Sequence, residues 1–186
     1  MLYPNNIKKG KKSFINYGNR GMNLENLINE TNEYYLNNDI ALIFKKPTPI
    51  GIAKVSYNSF GKSIEKAYFK EQSTLDYNGL YKGKYIEFDA KETLNKTSFP
   101  LSNIHPHQLK HIRNVINHKG ICFLIIKMNN LYYLLLGESL IYFIDHNERK
   151  SIPYDFIKTN AFELIEKYNP SLDYIKIIDN LLKEEK

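Results

Sequence analysis

The sequence predicts a single α/β domain: a mixed central β-sheet flanked by helices, with a protruding stalk. Three observations predict it. Tyr85–Lys91 alternates apolar and charged residues with the period of a strand. Ile121–Met128 and Leu131–Leu136 are nearly continuous apolar runs joined at Asn129-Asn130, as expected of paired strands at the covered centre of a sheet. Segments of helical period precede and follow these strands.

The totals narrow the class. The chain has 186 residues, enough for one domain with a real core, and 42% hydrophobic residues, which excludes a disordered chain. A single cysteine, Cys122, excludes an internal disulfide and suggests a reducing compartment. No apolar leader follows Met1 and no apolar run approaches membrane-spanning length, so a soluble cytoplasmic protein with no membrane partner is expected. The net charge of +6 favours a polyanionic partner.

In chain order, residues 1–15 form a basic arm with Lys8, Lys9, Lys11 and Lys12, suited to non-specific phosphate contact or simply a frayed terminus. One domain then spans 16–186. Tyr17–Gly21 is a turn-rich entry to a helix over 22–37, which buries Leu24, Leu27, Ile28, Thr31, Tyr34 and Tyr35. Glu25, in its first turn, either complements the helix dipole or supplies an outer carboxylate to a metal site. Ile40–Phe44 is a short strand. From about 46 to 69 the chain turns polar and basic, its two prolines (Pro47, Pro49) forbidding a helix, with strand-like pieces over 52–57 and 64–69. Lys45, Lys46, Lys54, Lys62 and Lys66 make this excursion a candidate nucleic-acid contact. Residues 95–103 read as loop, and a helix runs from His105 to about Lys119, with Gln108 in its first turn. His107 and His111 stand four residues apart, but no partnering Cys or carboxylate lies at zinc spacing, so phosphate contact or capping suits the histidines better. Beyond Gly137 three helices are expected, over 138–145, 153–168 and 172–184.

The chemistry concentrates in Ser73–Thr93. If Lys82-Gly83 makes the turn of a hairpin, position 76 stands opposite 89 and 74 opposite 91, placing Thr74, Asp76, Asp89 and Lys91 on one face. Ile86, Phe88 and Ala90 then face a core, while Glu87, Asp89 and Lys91 face away. Asn78-Gly79 could instead shift the register or form a bulge. Two carboxylates a strand apart suit Mg²⁺, with Mn²⁺ as a substitute, because a hard cation prefers oxygen ligands and keeps several waters. A neighbouring lysine can stabilise charge developing on a phosphate. Such an Asp…Asp-x-Lys set suits phosphodiester cleavage; the bland alternative is a solvated strand face with a surface ion pair. No Walker-type glycine loop and no G-x-S-x-G is present, which removes nucleotide-hydrolase and serine-hydrolase readings.

Several separated segments, N-Y-G-N-R-G-M at 16–22, K-K-P-T-P-I at 45–50, A-Y-F at 67–69, S-T-L-D-Y-N-G at 73–79, D-A-K-E-T at 89–93, T-S-F-P-L at 97–101 and H-P-H-Q at 105–108, together resemble the RecU family of Holliday junction resolvases. The element order likewise resembles the restriction-endonuclease-like nuclease core. The resemblance implies a homodimeric, Mg²⁺-dependent endonuclease that makes paired, symmetric nicks in four-way DNA junctions, with recombinase and branch-migration proteins as further partners. It implies metal-site roles for Thr74, Asp76, Asp89 and Gln108, transition-state stabilisation by Lys91, and a junction-engaging stalk at about 46–69. The family often has Glu where this chain has Asp89, one methylene shorter. Two other readings share the acidic hairpin: a restriction- or repair-type nuclease of linear duplex, and a non-catalytic branched-DNA-binding modulator of a recombinase.

Overall fold

The computed structural model describes residues 23–58, 61–70 and 74–184; the basic arm over 1–15 and the turn over 17–21 lie outside the described residues. Helix α1 (Leu24–Asn37) is capped by Asn23, whose side chain accepts from the Asn26 N–H at 2.9 Å. The Leu24 N–H, another donor with no partner inside the helix, is taken by Glu92 Oε1 at 2.7 Å, which fixes the helix entry to the sheet. The strand expected at 40–44 is β1 (Leu42–Lys45). Next come β2 (Ile50–Asn58) and β3 (Gly61–Phe69), then β4 (Tyr77–Tyr81) and β5 (Lys84–Glu92).

Between β5 and the next central strand lie β6 (Ser98–Pro100), a 3-10 turn at Leu101–Asn103, and α2 (Pro106–Asn117). Residues 95–103 are therefore not simply loop: β6 pairs with the later β9 (Ser151–Pro153), a long-range partner that the local sequence does not announce. The apolar pair is β7 (Ile121–Met128) and β8 (Leu131–Leu136), followed by α3 (Gly137–His146). After β9, the helix expected over 153–168 stops early as α4 (Tyr154–Asn160). Thr159 and Asn160 turn their side chains back onto the carbonyls of Asp155 and Phe156, at 2.9 and 3.0 Å. The chain then extends as β10 (Phe162–Leu164) along the open edge of β8. The last helix is α5 (Tyr174–Glu184).

The main sheet has six strands in the order β1-β4-β5-β7-β8-β10. Every pairing is antiparallel except β5–β7, which is parallel and so requires the crossover through β6 and α2. One face packs on α1 and α5 through Leu27, Ile28, Phe88, Phe123 and Tyr174. The other packs on α2, α3 and α4 through Ile112, Leu124, Ile126, Leu140 and Ile157. Beneath the hairpin Tyr77, Phe88 and Phe123 form a ladder of stacked rings with centroids 4.8 and 4.7 Å apart, and Tyr174 closes it 5.1 Å from Phe88.

The β4–β5 register runs Tyr77 opposite Phe88 to Tyr81 opposite Lys84, with no bulge. Lys82 (φ 46°) and Gly83 (φ 77°) make the turn, both left-handed as a two-residue hairpin needs. Asn78-Gly79 therefore does not shift the register. Gly79 serves another purpose, close approach: a Cβ there would lie 2.0 Å from the Leu42 carbonyl oxygen and 2.7 Å from Ile43 Cα. Gly79→Ala would push β1 off β4. It should cost about 2–4 kcal/mol, read as a lowered urea midpoint with unchanged slope.

β2 and β3 pair only with each other, and the described side chains of β3 are exposed throughout. They form a two-stranded arm outside the main sheet, inserted between β1 and β4.

Candidate active site

The hairpin register sets the site's first wall. Extending it past Tyr77 brings Asp76 level with Asp89, and Thr74 level with Lys91. Strand β5 is buried on both faces from Ile86 to Asp89, because α1 and α5 cover one side and α2 the other. Asp89 is 0% exposed, so its carboxylate must be met by donors. Oδ1 accepts the Ala90 N–H at 2.8 Å; Oδ2 accepts Gln108 Nε2 at 2.8 Å and lies 2.9 Å from Lys91 Nζ.

Gln108 reaches Asp89 because α2 begins beside it. Pro106 stands at the first helical position and His105 at the N-cap, and the Gln108 side-chain oxygen accepts the His105 N–H at 3.1 Å. One end of the amide thus caps the helix and the other orients Asp89.

Asp76 has a different environment. Burial first, then the negative charge of Asp89 and the hydrogen bond the two carboxyls share, raise its pKa to about 6; Lys91 and Lys45 act in the opposite direction. Two carboxyls sharing one proton have the chemistry of a cation site. Among the described residues no three His, Cys, Asp or Glu side chains converge as an all-protein metal cage. A two-carboxylate site suits a hard divalent cation that keeps several waters as its other ligands. Asp76 and Asp89 could hold such an ion, with the Thr74 hydroxyl beside them.

The family model described as Recombination protein U matches residues 19–180. Proteins named Holliday junction resolvase RecU are similar along nearly their whole length. The Bacillus subtilis protein is 49% identical over 178 residues, covering 94% of this chain and 86% of its own. That of Lactiplantibacillus plantarum is 48% identical over 97% of this chain and 90% of its own, and that of Staphylococcus aureus 46% identical over 100% and 98%. The chain belongs to the RecU family. Among solved structures, Archaeoglobus fulgidus Hjc, a Holliday junction resolvase, matches with a TM-score of 0.43 and 7% identity, covering 69% of this chain and 86% of that one; the family assignment rests on the sequence matches.

The other residues singled out in this RecU-family chain fall into three places. Lys46 lies at the site itself: its Nζ donates to Thr74 Oγ1 at 2.9 Å and pairs with Glu87. Glu25 and Lys45 form an exposed ion pair at 2.6 Å on its flank. Lys54, Lys62 and Lys66 lie on the β2–β3 arm, away from the carboxylates: Lys54 pairs with Glu65, and Lys62 lies 5.6 Å from the Tyr57 ring centre.

Sequence reasoning missed Glu87, which it left on a face turned away from the core. It is 0% exposed. Oε1 receives Lys46 and, at 3.3 Å, the Leu75 N–H; Oε2 meets Tyr85 Oη at 2.8 Å and His111 Nε2 at 2.7 Å. Burial alone would raise its pKa, but the hydrogen bonds from Lys46, His111 and Tyr85 outweigh it and hold the carboxyl below its ordinary value. The available signal was neighbourhood: a strand beside the nearly continuous apolar run of β7 is itself covered, so its charged residues need partners.

Proposed function

We propose that this RecU-family chain is a divalent-metal-dependent endonuclease that resolves four-way DNA junctions, working as a homodimer that places paired nicks. The observation that carries the reading is the wall of Asp76, Asp89 and Lys91, two carboxyls level with each other on the hairpin and an ammonium 2.9 Å from the deeper one. When bound, Mg²⁺ would supply charge neutralisation at the scissile phosphate and a lowered pKa for water. This chain's residues do the rest. Asp76 gives up its proton and, with Asp89, fixes where the cation and hence the phosphate sit. Gln108 and the Ala90 N–H hold Asp89 in one orientation. Lys91, fixed by Asp89, presents positive charge where the phosphate gains negative charge in the transition state. The β2–β3 arm is the stalk that engages the junction centre. Its lysines contact phosphate as point charges, so choice of substrate follows shape rather than base edges. No described helix is long and apolar enough to cross a membrane.

The test is cleavage of a synthetic mobile four-way junction beside a linear duplex of the same sequence. In Mg²⁺ the protein should place symmetric nicks in the junction at least about a hundredfold faster than it cuts duplex, and EDTA should abolish both. Equal cutting of duplex would assign it instead to the restriction-like class; tight junction binding without cleavage in Mg²⁺ or Mn²⁺ would leave a binding module.

A further inference from the structure

The two feet of the stalk meet at the active site. The outgoing foot is Lys46–Pro49, after β1; the described residues of the returning foot are Lys70 and Thr74–Asp76, ahead of β4. Backbone bonds join them: the Lys46 N–H donates to the Asp76 carbonyl at 2.7 Å, and the Lys70 N–H to the Pro49 carbonyl at 2.9 Å. The Lys46 side chain then crosses to the returning foot, donating to Thr74 Oγ1 at 2.9 Å, and pairs with buried Glu87 on the catalytic strand. Glu87 takes the Leu75 N–H with the same oxygen that receives Lys46. Its other oxygen is held by Tyr85 and His111. Each Glu87 oxygen thus meets two donors, so this carboxylate is occupied in positioning and has no lone pair directed at a cation.

From this arrangement, and resting on the proposed resolvase reading, we propose that Lys46 and Glu87 relay stalk engagement to the catalytic centre. They are positioning residues that set Thr74 and Asp76 in their cleaving geometry when the stalk is seated in a junction. Two neighbouring residues of one foot, Thr74 and Leu75, are tied to this pair, and Asp76 follows directly. A twist or shift of the stalk against the sheet therefore moves Asp76 relative to Asp89, which Gln108 of α2 and the Ala90 N–H of its own strand hold in place. Selectivity for a branched substrate would then act on the chemical step as well as on binding.

A double-mutant cycle on the full-length protein tests this, with single-turnover cleavage of a four-way junction at saturating protein as the readout. One arm is Lys46→Met, which keeps the stem and removes the donors. The other is the triple change Lys54→Ala, Lys62→Ala and Lys66→Ala on the stalk. Each arm should slow cleavage about 10- to 100-fold. Combined, they should be within about threefold of the slower arm, because the second change breaks a relay already broken. Junction binding by Lys46→Met should stay within about threefold of the parent. Losses that multiply would show local support without relay and overturn the inference, while leaving the resolvase reading intact. A stalk triple change without effect on the cleavage rate would also overturn it, since no stalk signal would exist to pass on. A parent protein that cuts duplex as fast as junction would overturn both. Lys46→Gln, which retains a donor for Thr74, replaces Lys46→Met if thermal melting shows that the methionine variant is unfolded.

Discussion

Asp76→Asn is expected to abolish cleavage and, at the same time, to make the metal-free protein more stable. The loss of activity should be about a thousandfold or more, since one of two carboxylates fixing the cation is gone. The gain in stability follows from the raised carboxyl. The folded-state pKa of Asp76, about 6, lies above that of an unfolded aspartate. In the window between about 4 and 6 the folded state therefore binds the extra proton. Its contribution to stability is full below the unfolded pKa and is lost as pH rises through 6. Above that pH a neutral asparagine avoids the loss, worth about 1–2 kcal/mol once solvent screening of this half-buried group is allowed for. Melting in EDTA at pH 7.5 should show a midpoint raised by about 3 °C or more, and the difference should vanish at pH 4. A variant that is inactive yet less stable at pH 7.5 would contradict the shared-proton account. Asp89→Asn provides the contrast. It should be equally inactive but less stable, because an amide nitrogen would face the donors of Lys91 and Gln108. The same competition governs metal affinity: below pH 6 it should fall about tenfold per unit as Asp76 holds its proton against the cation.

Lys91→Met should reduce single-turnover cleavage by about 10²–10³-fold, in the range observed when one preorganised transition-state donor is removed. Metal affinity should not fall, and it should rise slightly, because a positive charge leaves the neighbourhood of the cation. Mn²⁺ titration followed by paramagnetic relaxation of water reads the second quantity independently of turnover. Loss of metal binding in step with cleavage would mean that Lys91 acts by holding Asp89 in place and not on the phosphate. Lys91→Arg distinguishes further. It restores charge but not the compact ammonium, and is expected to recover only part of the rate.

The hairpin was legible because two local rules agree there. Lys82-Gly83 accepts left-handed backbone, and even spacing places positions 74, 76, 89 and 91 in one column. The apolar strands over 121–128 and 131–136 were equally legible, since continuous apolarity at that length needs cover on both sides. Glu87 was not, because its burial depends on α2 returning across the sheet after the parallel β5–β7 pairing, and no alternation within Tyr85–Lys91 encodes that return. Lys46 was read only as one more lysine of a basic excursion; its partners, Thr74 and Glu87, lie 28 and 41 residues away. The strands β6, β9 and β10 escaped for the related reason that each has three residues and is specified by its partner more than by its own side chains. Gly79 was noticed as turn chemistry, whereas its use is steric.

The single parallel pairing in the sheet also bears on the order in which the protein becomes active. The β4–β5 hairpin closes through a two-residue turn, on the microsecond scale of such local events. The parallel neighbour β7 pairs Ile86 with Ile121, so it closes only after the whole crossover has been synthesised and folded. Gln108 and His111 arrive with that crossover. Until then Asp89 lacks Gln108 and Glu87 lacks His111, so neither carboxylate is held in its final orientation. A nuclease built this way is harmless while it is still a nascent or partly folded chain.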